Sequence, residues 1–441
     1  MSKPICIHVL EAAPRGNIGY RSNIGTIAAQ RALYSILTNL GKFDISVSTR
    51  DPEDFSLCHP EYKDGKIYRS LRPSIGSGVV RNNIQWVIFN FLNLSFLIFL
   101  IPFINLGIFR AETTARMKEC DAFIDLNLEY LRGIPISTSL RLIKQKPRIL
   151  IITKLFWSLR MLTCLWFIFI IKSIFKKKLI MGPASFGPFK GLPLITRWLV
   201  RFILKRFVDL ILVREPYSAK LLDELGVKNY VIMADVALIV KVKTASSHHS
   251  SLSSKLLFGV APAMLRYIFT KEESDNYVAA HAKCLDDLAN KYDATIVFLP
   301  SSSEDKLMCE MIRDKMSNKH HTTIIVTSDV DEYETWIKKL DLLITTRMHP
   351  SIIAARNFIP FCSIIYDHKQ IGVLQQIGLQ SFSIPINKVS YHNLRAIIEH
   401  AIQNQSKIKE ILKQTLPNIQ DKSMTTFKIA LSKIICSPIN D

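Results

Sequence analysis

The repeated alternation of short β-branched apolar runs with longer helical segments most constrains the fold. Ile5–Leu10 predicts a strand, Asn23–Leu40 predicts a helix with one apolar face, and Asp44–Ser48 predicts a second strand. The same rhythm resumes at Leu256 and continues towards the carboxyl terminus. Strands that alternate with helices in this way form parallel sheets covered by helices. The sequence therefore predicts an α/β protein of doubly wound type.

A serine-rich stretch, Thr244–Ser254, separates two such α/β runs and is the clearest linker. A chain of 441 residues is long enough for two domains of ordinary size. We expect an amino-terminal domain over residues 1–243, a linker over 244–254 and a carboxyl-terminal domain over 255–441. The G-x-G-x-x-G dinucleotide fingerprint is absent, so a nicotinamide or flavin cofactor is not indicated.

Two apolar segments interrupt the first run and define an insertion of about residues 85–175. Trp86–Phe109 carries no charge, and Leu155–Phe175 is similarly apolar and is followed by Lys176–Lys178. Segments of this kind form membrane spans, a buried helix pair, or helices that lie on a membrane surface. Two spans would place the predicted strand Ala122–Leu126 on the far side of the membrane, and one would split the sheet. We therefore expect helices on the inner face of the membrane, held by cations attracted to acidic lipids.

Charge and cysteine usage restrict the partners and the compartment. Lys and Arg number 57 against 37 Asp and Glu, a net charge of +20 that favours an anionic partner. No nucleic-acid-binding module is recognisable, so acidic lipid or phosphorylated small molecules are the expected partners. The eight cysteines are scattered without a C-x-x-C pair, which indicates free thiols and no zinc site. Together with an amino terminus unlike a secretory signal, this predicts a cytoplasmic protein.

The most chemically suggestive stretch is Asp341–Pro350, in which a buried strand ends in Arg347 and His349. Ligands of open α/β sheets bind outside the carboxyl ends of the strands. An arginine there can hold a carboxylate or phosphate through paired hydrogen bonds, and a histidine can transfer a proton near neutral pH. A second arginine, Arg214, follows the strand Leu210–Val213 in the other domain. We expect the two arginines and the histidine to bind an anionic substrate in a cleft between the domains.

Four stretches resemble the polysaccharide pyruvyl transferase family, and together they span most of the chain outside the insertion. They are Gly16–Gly19, Val208–Val227 with Asp235, Arg347-Met348-His349, and Tyr366-x-x-Lys369 with Leu379. The resemblance implies two Rossmann-like domains arranged as in GT-B glycosyltransferases. It also implies phosphoenolpyruvate as donor and a hydroxyl pair of a glycan or glycolipid as acceptor, with a pyruvate ketal as product.

Residue roles follow from the resemblance. Arg214, Arg347 and His349 are expected to line the donor site, with His349 as the proton donor to the methylene carbon. Lys369, Met348, Asn17 and Asp125 are expected to bind substrate, with Asp125 orienting or deprotonating an acceptor hydroxyl. This mechanism requires no metal and no cofactor, and the sequence offers no H-x-x-x-H or D-x-D site.

The chain departs from the family pattern in its first domain. An acidic residue usual after the first Asn-x-Gly is absent, and Leu126–Glu129 replaces a glycine cluster. These departures and the apolar insertion bear on the acceptor more than on the donor. Two alternatives stay open: a GT-B glycosyltransferase that uses a nucleotide sugar, and a non-catalytic relative that scaffolds a membrane assembly.

Overall fold

The chain contains two compact units, each built on a parallel sheet. The computed structural model describes residues 4–10, 23–41, 43–49, 52–62, 66–70, 96, 99–126, 158, 161–162, 165–241, 255–264 and 270–435. The first unit comprises Tyr34–Asp235 with the described parts of Met1–Pro14 and Ser423–Asp441. The second comprises Val236–Lys422 with the described part of Arg15–Leu33.

The units do not follow the chain in the simple order that the sequence suggested. The change of unit after Asp235 lies before the predicted boundary at 243, and the predicted linker lies outside the described residues. Residues from the first and the last long helix are shared between the two units. Packing rather than chain order defines a compact unit, and a linear pattern carries no information on which core a terminal helix joins.

The first unit holds a seven-stranded parallel sheet in the order β3-β2-β1-β4-β5-β6-β7. Its strands are β1 (Ile5–Leu10), β2 (Phe43–Thr49), β3 (Lys66–Arg69), β4 (Ala122–Asp125), β5 (Lys178–Ala184), β6 (Leu210–Val213) and β7 (Tyr230–Ile232). The helices up to this point of the chain include α1 (Ile24–Leu40), α2 (Pro52–Cys58), α3 (Ala111–Glu119), α4 (Leu194–Arg206) and α5 (Pro216–Leu225), with a 3-10 turn at Pro60–Tyr62.

The second unit holds a six-stranded parallel sheet in the order β10-β9-β8-β11-β12-β13. Its strands are β8 (Leu257–Ala261), β9 (Thr295–Phe298), β10 (Thr322–Ile324), β11 (Leu342–Thr345), β12 (Phe361–Ile365) and β13 (Ser383–Pro385). The helices are α6 (Val236–Ile239), α7 (Lys271–Tyr292), α8 (Ser303–Lys315), α9 (Val330–Lys338), α10 (Met348–Arg356), α11 (His368–Gln376), α12 (Tyr391–Gln403) and α13 (Gln405–Ile435). Three 3-10 turns lie at Lys319–His321, Gln380–Phe382 and Ile386–Lys388.

Both sheets reverse their strand order at one point, and ligands of doubly wound folds bind there. In the first unit the reversal lies between β1 and β4, where Leu10 pairs with Asp125. In the second it lies between β8 and β11, where Ala261 pairs with Thr345. The carboxyl ends of these paired strands are the places where substrate chemistry is expected.

The structure confirms the predicted fold class. Two parallel sheets with intervening helices appear where the sequence predicted them, with β1 and β6 at the predicted residues. The strands β3 and β13 were not predicted, because each is only three or four residues long at the edge of its sheet.

The apolar insertion lies largely outside the described residues and stays a prediction. Its described parts include helical residues at 99–105 and 165–175. Within the described part of the chain, no helix is long and apolar enough to cross a membrane.

One cysteine pairing differs from the sequence expectation of free thiols. Cys6 of β1 and Cys120, which precedes β4, are paired as a disulfide, with their Cα atoms 4.6 Å apart. The pairing joins positions 114 residues apart, so only the adjacency of β1 and β4 reveals it. Cys284, Cys309 and Cys362 are buried free thiols.

A buried histidine makes the second unit sensitive to acid. His281 on α7 is buried, its Nδ1–H donates to the carbonyl oxygen of Tyr277, and burial lowers its pKa to about 4. The folded state therefore keeps the imidazole neutral, whereas the unfolded chain protonates it below its ordinary value. The stability from this histidine is complete above about pH 6.5 and is lost as the pH falls towards 4.

We predict that His281→Phe weakens the loss of stability on acidification. On acidification from pH 7.5 to pH 5, the native histidine should lower the free energy of unfolding by about 2 kcal/mol, and the variant should lack this decrease. Urea unfolding at both pH values measures the difference. The matched control His320→Phe replaces an exposed histidine of the same unit and should retain the pH dependence of the wild type. An identical pH dependence for His281→Phe and the wild type would contradict the assignment.

Candidate active site

Arg347 and His349 lie where the second sheet reverses its strand order. The strand β11 ends at Thr345, Arg347 precedes the first residue of α10, and His349 is the second residue of that helix. The backbone N–H of Thr346 donates to the carbonyl oxygen of Ala261 at the end of β8, at 2.9 Å. The predicted placement of both residues at a strand end is therefore observed.

A buried carboxylate holds the guanidinium of Arg347 in a fixed orientation. Arg347 Nε and Nη2 donate to the two carboxylate oxygens of Asp305 at 2.9 and 2.5 Å. Asp305 is fully buried, whereas 18% of the Arg347 side chain is exposed. Asp305 also accepts from the backbone N–H of Met264 at 3.0 Å. Such a paired contact fixes the plane of the guanidinium and leaves its remaining N–H groups for other acceptors.

The surroundings of Arg347 stabilise its charged form. Burial by itself would lower the pKa of Arg347, but Tyr366 and the carboxylate of Asp305 outweigh burial and raise the pKa above its ordinary value. The guanidinium therefore remains a permanent cation at any pH at which the fold persists. It is partly exposed and partly neutralised, which suits a group that must recognise an anion.

Hydroxyl and amide groups fix the turn between β11 and α10. Thr345 Oγ1 accepts from the backbone N–H of Arg347 at 3.0 Å. The hydroxyl groups of Thr346 and Tyr277 are 2.6 Å apart, and Gln370 Nε2 donates to the carbonyl oxygen of Thr346 at 2.9 Å. Burial raises the pKa of Tyr277 above its ordinary range, so the phenol stays neutral. The turn that carries Arg347 is thus held from three neighbouring elements.

The first turn of α1 contacts the imidazole of His349. Gly25 approaches the ring so closely that a Cβ atom at this position would overlap Nδ1 and Cγ of His349. The backbone N–H of Ile24 donates to the carbonyl oxygen of Ser301 at 3.0 Å, which ties this turn to the end of β9. Within the second unit, glycine is therefore needed at position 25, where α1 contacts His349.

The amino terminus of α1 has no backbone donor left for a ligand. The N–H of Gly25 donates to Asn23 Oδ1 at 2.9 Å, and those of Thr26 and Ile27 donate to the carbonyl oxygen of Asn23. The contribution of α1 to the site is therefore the close approach of Gly25 to the ring and not a bound anion.

Lys369 lies in the first turn of α11, directly after β12, and is largely buried. Its Nζ atom is 3.8 Å from Asp367 Oδ2, and Asp367 Oδ1 is 2.9 Å from His368 Nδ1. The ammonium group therefore has a carboxylate within ion-pair distance. Its assignment to the donor site stays a prediction.

Arg214 belongs to the first unit and occupies a different environment from Arg347. Only 1% of its side chain is exposed, and Nη1 donates to Asp235 Oδ2 at 2.8 Å. Nε donates to Ser185 Oγ at 2.7 Å. Asp235 therefore pairs with the arginine that precedes α5, and a ligand of Arg214 would have to share the guanidinium with this carboxylate.

The remaining predicted residues have uneven structural support. Asp125 ends β4 at the reversal of the first sheet and is largely buried, and its role stays a prediction. Met348 begins α10 and is buried. Asn17 lies outside the described residues, so its role stays a prediction. Among the described residues, no group of three or more histidine, cysteine, aspartate or glutamate side chains could hold a metal ion.

Two residues of this site were missed from the sequence. Asp305 ends the polar stretch after β9, and its charge type and position after a strand were visible signals. The sequence did not indicate that Asp305 would pair with Arg347, because 42 residues separate the two. Gly25 precedes the apolar face of α1, and a single glycine gives no indication of the ring it must accommodate.

A family model for polysaccharide pyruvyl transferases matches residues 121–368, which is more than half of the chain. The chain belongs to the polysaccharide pyruvyl transferase family. The match includes Asp125, Arg214, Asp305, Arg347 and His349, and it ends just before Lys369.

A sequence relative supports the same assignment. The amylovoran biosynthesis protein AmsJ of Erwinia amylovora is 22% identical over 256 residues, which cover 53% of this chain and 60% of that protein. The match thus spans about three fifths of the length of this relative.

Solved structures share the fold of this family member at low sequence identity. A Listeria monocytogenes protein described as a UDP-N-acetylglucosamine 2-epimerase has a TM-score of 0.58 and 11% identity, with coverage of 98% of this chain and 96% of that one. Anabaena Alr3699/HepE, solved with UDP and glucose, has a TM-score of 0.54 and 9% identity, with coverage of 98% and 99%. These neighbours confirm a GT-B-like fold.

We predict that Asp305→Asn destabilises the second unit by about 3 kcal/mol, because it leaves a partly buried guanidinium without its carboxylate. Combining it with Arg347→Met should remove part of that cost, since no cation then lacks a partner. Urea unfolding of the two single variants and the double variant measures the coupling. If the losses of unfolding free energy in the single variants add up to the loss in the double variant, Asp305 and Arg347 are not energetically coupled.

A second buried pair of the same unit provides a matched control. Arg356 and Glu334 also form a two-point contact, between α10 and α9 and away from the strand ends. Glu334→Gln should cost a similar amount of stability and is the reference variant for any measurement of activity.

We predict that Gly25→Ala destabilises the protein by about 1–3 kcal/mol, although alanine favours helices, because its methyl group overlaps the His349 ring. His349→Ala opens this space, so Gly25→Ala/His349→Ala should be more stable than the sum of the single variants predicts. Thermal unfolding of the four proteins measures this non-additivity. Equal stability of Gly25→Ala and the wild type would contradict the contact.

Proposed function

We propose that this protein transfers the pyruvyl group of phosphoenolpyruvate to a pair of glycan hydroxyls and forms a cyclic ketal. Membership of the family supports the reaction class, and the arrangement of Arg347, Asp305 and His349 supports the donor. The observation on which the proposal chiefly depends is a partly exposed, oriented guanidinium two residues before His349, a partly exposed residue, at the reversal of the second sheet.

Phosphoenolpyruvate carries a carboxylate and a phosphate on one small enol. Arg347 would bind one of these groups through the N–H groups that Asp305 leaves available, as guanidinium groups do with planar or tetrahedral oxyanions. The amino terminus of α10 adds a partial positive charge at the same place. Asp305 would prevent the guanidinium from turning away when the anion is absent.

Ketal formation requires one proton on carbon and two new carbon–oxygen bonds. His349 would donate a proton to the methylene carbon while the first hydroxyl oxygen adds to the central carbon, and that hydroxyl loses its own proton. The second hydroxyl oxygen then bonds to the central carbon as the bond between that carbon and the phosphate oxygen breaks, and the proton of this hydroxyl leaves with the inorganic phosphate. Each phosphoenolpyruvate thus yields one ketal and one phosphate, and general acid catalysis of this kind contributes roughly 10²–10⁴ in rate.

Two further residues have roles in this proposal. Asp125, at the carboxyl end of β4, is the proposed orienting group or base for an acceptor hydroxyl. Arg214 is assigned to the donor on the family resemblance, and its contact with Asp235 would have to be shared with the ligand. We assign the acceptor only by class, as a glycan or its lipid-linked precursor.

We predict that phosphoenolpyruvate raises the unfolding temperature of the wild type and of Glu334→Gln, but not that of Arg347→Gln. A ligand that binds the folded state alone stabilises it by RT ln(1 + [L]/Kd), so the comparison reports the anion site without knowledge of the acceptor. UDP serves as the competing ligand. Stabilisation by UDP and none by phosphoenolpyruvate would favour a nucleotide-sugar glycosyltransferase and contradict the proposal.

We predict that His349→Asn reduces acceptor-dependent phosphate release by roughly 10²–10⁴ and leaves binding of phosphoenolpyruvate nearly unchanged, because the proton is needed only in the transition state. Phosphate release is measured with glycosides that carry neighbouring hydroxyl pairs and with lipid-linked glycans. Glu334→Gln controls for lost stability. No release by the wild type across such a panel, or equal rates for His349→Asn, would contradict the assigned chemistry.

A further inference from the structure

The helix α4 of the first unit exposes an apolar surface that its fold does not require. Its inner face is buried through Thr196, Val200, Ile203 and Leu204. Its outer face exposes four large apolar side chains: Leu194 at 80%, Ile195 at 65%, Trp198 at 57% and Phe202 at 45%. A surface helix of a globular protein normally presents charged or polar residues on this side.

The exposed aromatic residues continue inwards as a chain of ring contacts. The rings of Trp198 and Phe202 are stacked with centroids 5.5 Å apart, and Phe202 contacts Phe207 at 5.8 Å. Phe207 contacts Phe169 at 4.9 Å, and Phe169 is stacked on Trp166 at 5.0 Å. The outer face is thus supported by rigid rings from residues 165–175 and does not depend on side chains that could fold away.

Cations flank the apolar face, and the helix contains no acidic residue. Arg201, Lys205 and Arg206 are exposed and Arg197 is partly exposed. Among the described residues, no ion pair engages any of these four cations. At 100° per residue, Arg201 and Lys205 lie on one side of the stripe formed by Ile195, Trp198 and Phe202, and Arg206 lies on the other.

We propose that this face of α4, formed by Leu194, Ile195, Trp198, Arg201, Phe202 and Lys205, binds the surface of an acidic lipid bilayer. Tryptophan, phenylalanine and leucine enter the boundary between headgroups and acyl chains, and arginine and lysine contact anionic headgroups. A soluble anion would satisfy the cations but not the apolar residues. A helix of 13 residues is about 20 Å long, shorter than the roughly 30 Å of a bilayer core, so it lies in the plane of the surface.

Charge complementarity favours lipid over a second protein as the occupant. The four cations of α4 form no ion pair with a described residue, and they would repel the same cations of an identical copy, whereas an acidic leaflet attracts each of them. The net charge of +20 acts in the same direction. The surface belongs to described residues outside the predicted insertion and does not depend on the proposed reaction.

The test uses the full chain in flotation with vesicles of phosphatidylcholine alone and of phosphatidylcholine with phosphatidylglycerol. We expect flotation with the acidic vesicles, reduced by high salt. Trp198→Ser/Phe202→Ser should weaken partitioning at least tenfold. Arg201→Gln/Lys205→Gln should weaken it roughly 25-fold at low salt, since each cation near an acidic surface is worth about a factor of five.

Matched variants separate a local effect from a general one. Leu57→Ser removes an equally exposed apolar residue, 79% exposed on α2 of the same unit, and should leave flotation unchanged. Lys407→Gln/Lys409→Gln removes the same charge from exposed positions of α13 and should also leave it unchanged. Circular dichroism confirms that each variant is folded.

Three results would overturn the proposal. One is flotation of Trp198→Ser/Phe202→Ser equal to that of the wild type. Another is equal binding to neutral and acidic vesicles. The third is self-association of the wild type without vesicles that Trp198→Ser/Phe202→Ser abolishes, which would show that a second copy covers this face.

Discussion

The ion pair between Asp305 and Arg347 is the interaction on which the candidate site depends. A fully buried carboxylate is costly unless a cation and hydrogen bonds satisfy it, and here Arg347 and the backbone of Met264 do so. The pair joins the segment after β9 to the turn after β11, and so fixes the guanidinium at the reversal of the sheet. The site is thus held in position by the fold before any substrate arrives.

The two arginines suggested by the sequence differ in what surrounds them. Arg347 keeps 18% of its side chain exposed, whereas Arg214 is 1% exposed and bound to Asp235 and Ser185. Both follow a parallel strand, so the same sequence signal identified them. The exposure of each arginine depends on which residues pack against the end of its strand, and the local sequence does not indicate which residues these are.

Much of the fold was predictable because buried parallel strands are continuous apolar runs and their helices have one apolar face. The strands β1, β6 and β11 and the helix α1 illustrate this directly. The order of the strands, the division into units and the pairing of Cys6 with Cys120 depend on contacts between distant segments and were not predictable. The same holds for the packing of Gly25 against His349, which requires two elements more than 300 residues apart to meet.

The outer face of α4 is not explained by the core of its own unit. The helix contains no acidic residue, and the side that faces away from the core carries large apolar residues. Packing against the core of the first unit explains only the inner face of α4, where four small or branched residues are buried and hold the helix in place. Trp198 and Phe202 therefore call for a partner outside the described fold.

The most direct test of the central claim is a crystal structure of the protein with phosphoenolpyruvate. The account predicts density for the enol with its carboxylate or phosphate within hydrogen-bond distance of the Arg347 guanidinium, and its methylene carbon facing the imidazole of His349. Asp305 should keep its two-point contact with Arg347 in that complex. Density bound elsewhere, with Arg347 and His349 both directed away from the ligand, would contradict the account.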